Sequence, residues 1–476
     1  MEGEVAAADT VQGDLIDLDD PGNEIVDEDK LAEISADDND SDDLTLRDNG
    51  TGESLLRHAR KRRAQADAHN EENSDDYEDV GNSDGEVGDE EGVDDPNVED
   101  LNEVPDCEPQ RDDALTVFAA REAAPVHAIA THPKIPGVFV ASGQSDEVYV
   151  LQLVGEGTLN VNCILREPHT DTISILAFSP DGSLLASGGL DGVIAIWSTA
   201  TWELQHSLRE LSGELLTLLW HPSGLVLVGG AEDGQAAMWN VKKGSLAMYF
   251  AGHSGSVACA AWTPCYKRLV TGGGDGNIAI FSPRTGQQEA YIAKGLSPDR
   301  APVTALCCLG DINGVSATEE YDDRCVAGCA DGTLHVVSLN TGRVVASMQE
   351  VHTQAIETLQ TNMGADGVVA SVPQLLLSSS CDCKVVVWST VGLTPRTVIH
   401  VGESVVPAVW VRSSLVVAGC SDGEVKVWDG RSQQQEPLKR LMGHRRMVLS
   451  IAVAEELGIV ASASDDGTVR LFRLAI

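Results

Sequence analysis

Positive charge is scarce in this 476-residue chain. Lys+Arg number 32 against 75 Asp+Glu, a formal net charge of −43 with a pI near 4.4. A phosphate backbone attracts clustered Lys and Arg, so no direct nucleic-acid partner is expected. Long apolar runs are missing as well: none approaches the ~18 residues that cross a bilayer, so no membrane insertion is expected. Met1-Glu2-Gly3-Glu4 lacks the basic and apolar regions of a secretory signal. The eleven cysteines are odd in number and without framework spacing, which suits a reducing compartment. A soluble cytoplasmic protein is expected, with nuclear entry left open.

Aromatics are only 4% of the chain, and Tyr77 is the single one before residue 113. Residues 1–113 carry 40 Asp+Glu and 8 Lys+Arg; residues 114–476 carry 35 and 24. Such an acidic, apolar-poor segment buries too little area to offset chain entropy, so 1–113 reads as a disordered leader. Leu15-Ile16-Asp17-Leu18 and Leu44-Thr45-Leu46 are short apolar islands that a partner could order. Arg57-His58-Ala59-Arg60-Lys61-Arg62-Arg63 reads either as a nuclear-import signal or as a helix turn paired with nearby carboxylates. Ser41, Ser74 and Ser83 precede acidic residues, as acid-directed kinases prefer.

Residues 114–476 repeat. Each unit has a strand ending in small residues, an Asp turn, and a second apolar strand. The turns fall on Asp146, Asp191, Asp233, Asp275, Asp331, Asp382, Asp422 and Asp466. Six residues later stand Gln152, Trp197, Trp239, Phe281, Val337, Trp388, Trp428 and Phe472, so only the first copy is polar there. Phe178, Trp220 and Trp262 lie thirteen residues before their turns, each two residues ahead of a turn proline. A period of ~40–45 with Asp-Gly turns marks a WD40 β-propeller. Eight units predict an all-β, eight-bladed ring; seven would discard the weak first unit. The chain stops soon after the last unit's third strand, and Leu115–Phe118 has the pattern needed to close that blade from the N-terminal side.

Four units carry a recurring polar set: His169, Ser187, Asp191 and Trp197; His253, Thr271 and Asp275; His352, Ser378, Asp382 and Trp388; His444, Ser462 and Asp466. Ser, His and Asp together invite a hydrolase reading, but a triad is needed once per site. Repetition in register favours a buried structural relay. Gly419-Cys420-Ser421-Asp422-Gly423 matches a nucleophile elbow, yet falls between two strands rather than a strand and a helix. The pairs Cys325/Cys329, Cys381/Cys383 and Cys307/Cys308 lack paired C-x₂-C modules and read as small strand residues. No catalytic residue, metal or cofactor is expected. All Trp but Trp202 occupy repeat positions, which argues against a base-stacking platform.

Recognition features are charged. Asp171, Glu214, Glu232, Glu403 and Asp465 sit near the repeat turns as candidate partner contacts, with Arg445 and Arg446 as local exceptions. Units five and six are enlarged at Gly310–Arg324 and Thr361–Pro373, on the other face. Trp428, Asp429 and Arg431 match the W-D-x-R ending of propellers that dock on a cullin–RING ligase adaptor, although Asp and Arg are frequent at these positions in WD repeats generally.

Trp220-His221-Pro222, Leu225 to Gly234 with Met238-Trp239, Asp112-Asp113 before Val117-Phe118-Ala119, and the Ala-Gly-x-x-Asp-Gly pattern of units five and seven resemble the angio-associated migratory cell protein family. The resemblance covers nearly all of 113–476. It implies an eight-bladed ring without catalysis. The family's fungal relative is a chaperone that holds the basic N-terminal segment of a large-subunit ribosomal protein, and animal relatives are associated with cell migration and angiogenesis. The expectation is therefore a monomeric, non-enzymatic binding scaffold for a basic ribosomal-protein segment. A signalling scaffold and a ligase substrate receptor are the alternatives.

Overall fold

In the computed structural model, residues 108–474 are described apart from 156, 294, 295, 298, 310–323, 363–373, 391 and 413. The acidic leader up to residue 107, its basic run 57–63 and the bodies of the two enlarged loops lie outside the described residues.

Eight four-stranded antiparallel sheets follow one another, and all but the last use their strands in chain order from the centre outward. The eight innermost strands are Val126–Thr131, Ile173–Phe178, Leu215–Trp220, Val257–Trp262, Val303–Leu309, Ile356–Thr361, Val405–Val411 and Val448–Ala454. Each touches the next, and the last touches the first, so the ring closes. These sheets are blades 1 to 8 of a propeller; a 3-10 turn at Arg121–Ala123 is the one helical element among the described residues. No helix there is long and apolar enough to cross a membrane.

Sequence and packing agree blade by blade. Second strands such as Val138–Gly143 and Ile459–Ser464 are buried at every position, because a neighbouring blade covers each face. Outer strands such as Arg343–Met348 are mostly exposed. Small residues near the end of the second strand have a steric cause. A Cβ added at Gly230 would come within 2.7 Å of Val257, and one at Gly272 within 2.6 Å of Val303, each on the next blade's first strand. In every blade the pairing of first and second strands slips near its start, a bulge that bends the inner strand where the next loop arrives.

The apolar cores lie between blades. One cluster joins Leu375, Val387 and Trp388's neighbours to Val405, Trp410 and Trp428, and another joins Phe139 and Leu151 of blade 1 to Ile459 and Leu471 of blade 8. No blade owns a complete core.

Blade 8 is a composite. Thr116–Ala119 pairs with Thr468–Arg473 as its outer strand, one residue later than the sequence pattern placed it. Contacts begin earlier still. Asp113 donates its N–H to the Met442 carbonyl at 2.8 Å, and its carboxylate accepts the Met442 N–H at 3.0 Å. Asp112 accepts from Ala114 N–H and from the guanidinium of Arg470, a largely buried residue.

The first blade corrects the sequence phase. Val138 pairs with Gln152 and Phe139 with Leu151, whereas in blade 2 Leu185 pairs with Trp197. Gln144 N–H bonds the loop carbonyl of Pro125, as Leu190 N–H bonds that of Thr172. Ser145 thus stands where other blades have the turn Asp. Asp146 takes the left-handed position, φ 55°, that Gly192 holds at φ 72°. The residue six places after Ser145 is Leu151, fully buried, so the polar exception at Gln152 disappears.

Candidate functional site

The repeated polar sets assemble as four buried relays, in alternate blades 2, 4, 6 and 8. In blade 2, His169 Nε2 lies 2.8 Å from Ser187 Oγ and Nδ1 lies 3.3 Å from Asp191 Oδ1, while Trp197 Nε1 donates to Ser187 Oγ at 2.9 Å. Blade 6 repeats this: His352 Nε2 to Ser378 Oγ 2.8 Å, Nδ1 to Asp382 3.1 Å, and Trp388 Nε1 to Ser378 Oγ 2.9 Å. His253 bridges Thr271 and Asp275, and His444 bridges Ser462 and Asp466, at 2.7–3.1 Å. Phe281 and Phe472 stand in the Trp positions of these two blades. One tautomer satisfies every atom: Trp N–H donates to the hydroxyl, the hydroxyl to Nε2, and Nδ1–H to the carboxylate.

Each Asp also binds the turn. Asp191 accepts N–H bonds from Thr170 and Val193; Asp382 accepts them from Thr353 and Lys384. Burial alone would raise the Asp382 carboxyl, but the His352 hydrogen bond and charge, with the Thr353 N–H and Lys384, bring it down to about 2. Asp275 and Asp466 are pulled down by the same arrangement, against the opposing effect of burial. The distances are those of a hydrolytic triad, but Ser187, Thr271, Ser378 and Ser462 have no solvent exposure. A substrate cannot reach the hydroxyls, and the relays tie strands together.

The intervening blades fill the same space differently, and the sequence pattern did not reveal how. Tyr149 OH donates to Glu147 at 2.9 Å, and Glu147 also accepts Arg166 at 2.7 Å in blade 1. Trp239 Nε1 donates to Glu210 at 2.8 Å in blade 3. His335 bridges Thr333 and Ser347 in blade 5. Lys426, buried in blade 7, lies 3.4 Å from Asp422 and 3.6 Å from Glu424. The signal lay in the second strand, where the place of the relay hydroxyl is taken by Ala141, Gly229, Ala327 and Ala418 in blades 1, 3, 5 and 7.

The candidate partner-binding carboxylates all lie on the face of the Asp turns, in the loop before the first strand or the turn after the second. In blade 3 the two join directly: Glu232 N–H donates to the Glu214 carbonyl at 3.0 Å. In blade 7, Glu403 accepts from Ser421 Oγ at 3.1 Å. Asp465 of blade 8 lies 3.9 Å from Arg446. The structure therefore divides the expected rim. Asp171, Glu214 and Glu232 occupy adjacent blades 2 and 3, continuous with Asp146 of blade 1. Glu403 and Asp465 belong to blades 7 and 8, where Arg445 and Arg446 dilute the charge. Burial raises the Asp146 carboxyl, and the neighbouring Asp171, Asp191 and Glu147 raise it further.

Elsewhere, Trp428 is buried and its Nε1 donates to the Gln435 carbonyl, while Asp429 accepts from Arg431 Nε at 3.3 Å, leaving the Arg431 side chain 54% exposed on the opposite face. Burial pushes the thiols of Cys307 and Cys329 up to about 12, so they stay protonated at neutral pH. Among the described residues no three His, Cys, Asp or Glu are grouped to hold a metal.

The WD domain, G-beta repeat model matches residues 161–198, 244–282 and 435–473, which fall in blades 2, 4 and 8 and their approaches. These stretches carry WD repeats, and the fold is that of a WD40 β-propeller. It is similar to the angio-associated migratory cell protein of Pongo abelii, 26% identical over 368 residues that cover 76% of this chain and 80% of that protein; the Homo sapiens protein matches to the same extent. This agrees with the family that its motifs resemble. Among solved structures, Chaetomium thermophilum Sqt1 has a TM-score of 0.65 at 22% identity, covering 76% of this chain and 98% of that one. The same protein bound to the N-terminus of the ribosomal protein L10 has a TM-score of 0.63, also at 22% identity, covering 76% and 100%. At this identity the likeness is one of fold. As a WD-repeat propeller the chain is a protein-binding scaffold.

Proposed function

We propose that this propeller is a non-enzymatic chaperone that holds a basic segment of a large-subunit ribosomal protein on the acidic arc of blades 1 to 3. The observation that carries the reading is the crowding at Asp146. Burial raises its carboxyl and the neighbouring Asp171, Asp191 and Glu147 raise it further, against the opposing effect of His169, so carboxylates crowd this part of the arc. A Lys or Arg side chain placed there relieves that repulsion, whereas an anionic ligand worsens it. The structural likeness to Sqt1, seen with the N-terminus of L10, supports the choice of a ribosomal-protein segment. Sequestering such a segment keeps its positive charge from pairing prematurely with RNA phosphates.

The test is capture of newly made ribosomal proteins by the full chain in low and high salt. A basic client should be enriched, released by salt, and bound at least ~10-fold more weakly by the triple variant Asp171→Asn, Glu214→Gln, Glu232→Gln, a loss of about 1.4 kcal/mol or more. Absence of any enriched basic client would overturn the reading.

A further inference from the structure

On this strongly acidic chain a cleft among the described residues reverses the sign. Beside the three-residue outer strand of blade 7, Lys439–Leu441, where the N-terminal chain comes in, lies an open cleft of about 450 Å³. Four cations line it: Arg111, Lys439, Arg440 and Arg473. Asp113 is the one lining carboxylate; of the three lining leucines, Leu438 is open, Leu115 is half-buried and Leu441 is buried.

Internal pairing leaves much of that charge unmatched. Arg111 is paired with Asp113 at 2.9 Å, but Arg440 reaches Glu424 at only 3.8 Å and Glu436 at 4.0 Å. Lys439 Nζ donates to the carbonyl of Arg473 at 2.7 Å, a neutral acceptor that does not cancel its charge. Leu438 is 46% exposed at the same place. Cations beside the open Leu438 and the half-buried Leu115 fit an acidic strand with interspersed aliphatic residues, since the guanidinium groups can pair with carboxylates while Leu438 covers an aliphatic side chain.

We infer that this cleft is the docking site for residues 84–106 of the same chain. That segment holds eleven Asp+Glu and no Lys or Arg, with Val98, Leu101 and Val104 spaced among them. Along the chain it leads into Arg111 of the cleft. Asp106 is five residues from Arg111, within ~17 Å at full extension, and Leu101 lies within ~18 Å of Arg111 for a flexible chain. A tether this short gives an effective concentration on the order of millimolar. A contact too weak to hold an acidic partner at micromolar concentration is then occupied in cis. The inference stands apart from the proposed function, because the cleft is on the outer edge of blade 7 and the acidic arc is on blades 1 to 3.

Zero-length carbodiimide coupling on the full chain, read by mass spectrometry of the monomer fraction, tests it. Lys439 is the reporter amine. Expected are links within one chain from Lys439 to carboxylates of 84–106, falling at least ~5-fold in about 0.5 M salt, where screening shortens to a few ångströms. They should fall similarly in Arg440→Glu/Arg473→Glu. Should that variant fold poorly, Glu99→Gln/Asp100→Asn/Glu103→Gln leaves the described residues untouched; its remaining links from Lys439 to Asp94, Asp95 and Asp106 should drop to the same degree. Links from Lys439 only between chains, only to other segments, or unchanged by salt and by the leader variant would overturn the inference.

Discussion

Ser187 has the neighbours of a nucleophile and the surroundings of a core residue. His169 and Trp197 occupy both sides of its hydroxyl, and no water reaches it. Removing such a hydroxyl leaves Trp N–H and His Nε2 without partners, which costs about 1–3 kcal/mol. Ser187→Ala and Ser378→Ala should each lower stability by that amount in urea unfolding, with basic-client affinity of the folded protein unchanged. An unchanged midpoint for both would remove the structural role argued for the relay. Gly272 acts by its lack of a side chain: Gly272→Val drives atoms into Val303 of the next blade, and overpacking of this kind costs about 1–3 kcal/mol. The measurable outcome is a lowered melting temperature.

At the scale of elements, the composite blade 8 decides whether the ring holds. Thr116–Ala119 covers the edge of Thr468–Arg473, and Asp112 and Asp113 fasten the approach through Arg470 and Met442. Without that strand blade 8 presents an open edge, and the core it shares with blade 1 loses Phe118 and Ala120. A chain lacking residues 110–120 should therefore lose its cooperative melt altogether; a transition at the original temperature would show that the closing strand is dispensable. The turn of blade 1 teaches a related lesson. A single residue of phase separates Ser145 from Asp146, and the letters alone favoured the Asp. Only the pairing of Phe139 with Leu151 shows that Asp146 occupies the glycine place. Freed from the turn-binding role, Asp146 joins the acidic arc.

For the whole molecule, cores shared between neighbours predict one unfolding transition rather than eight. Acid should weaken it in two windows. Burial holds His132, His221, His335 and His444 below the usual histidine range. The unfolded chain therefore takes up protons more readily below pH ~6.5, and stability falls as pH drops from about 7 to 5. The second window belongs to the depressed carboxylates: Asp382 contributes stability above pH ~4, which is lost as pH falls toward 2. Urea midpoints at stepped pH values check both, and a midpoint flat between pH 7 and 5 would contradict the first. Client binding should follow another course. Because Asp146 protonates at higher pH than an ordinary Asp, affinity for a basic segment should decline before the protein unfolds in the lower window, and Asp146→Asn should flatten that decline.

Period, turn residues and buried polar sets were legible in the sequence because each depends on contacts within one repeat. Spacing alone predicted eight sheets, a closing strand and four relays, since a strand pattern and an Asp turn recur wherever the same local hydrogen bonds must be made. Side chains that answer to another blade or to a distant strand left no such trace. Glu210 as the acceptor for Trp239, the split of the acidic rim into an arc and a diluted remainder, and four cations gathered from both ends of the propeller domain were decided by tertiary structure. Charge acts through space rather than along the chain, so these groupings exist only once the ring has closed.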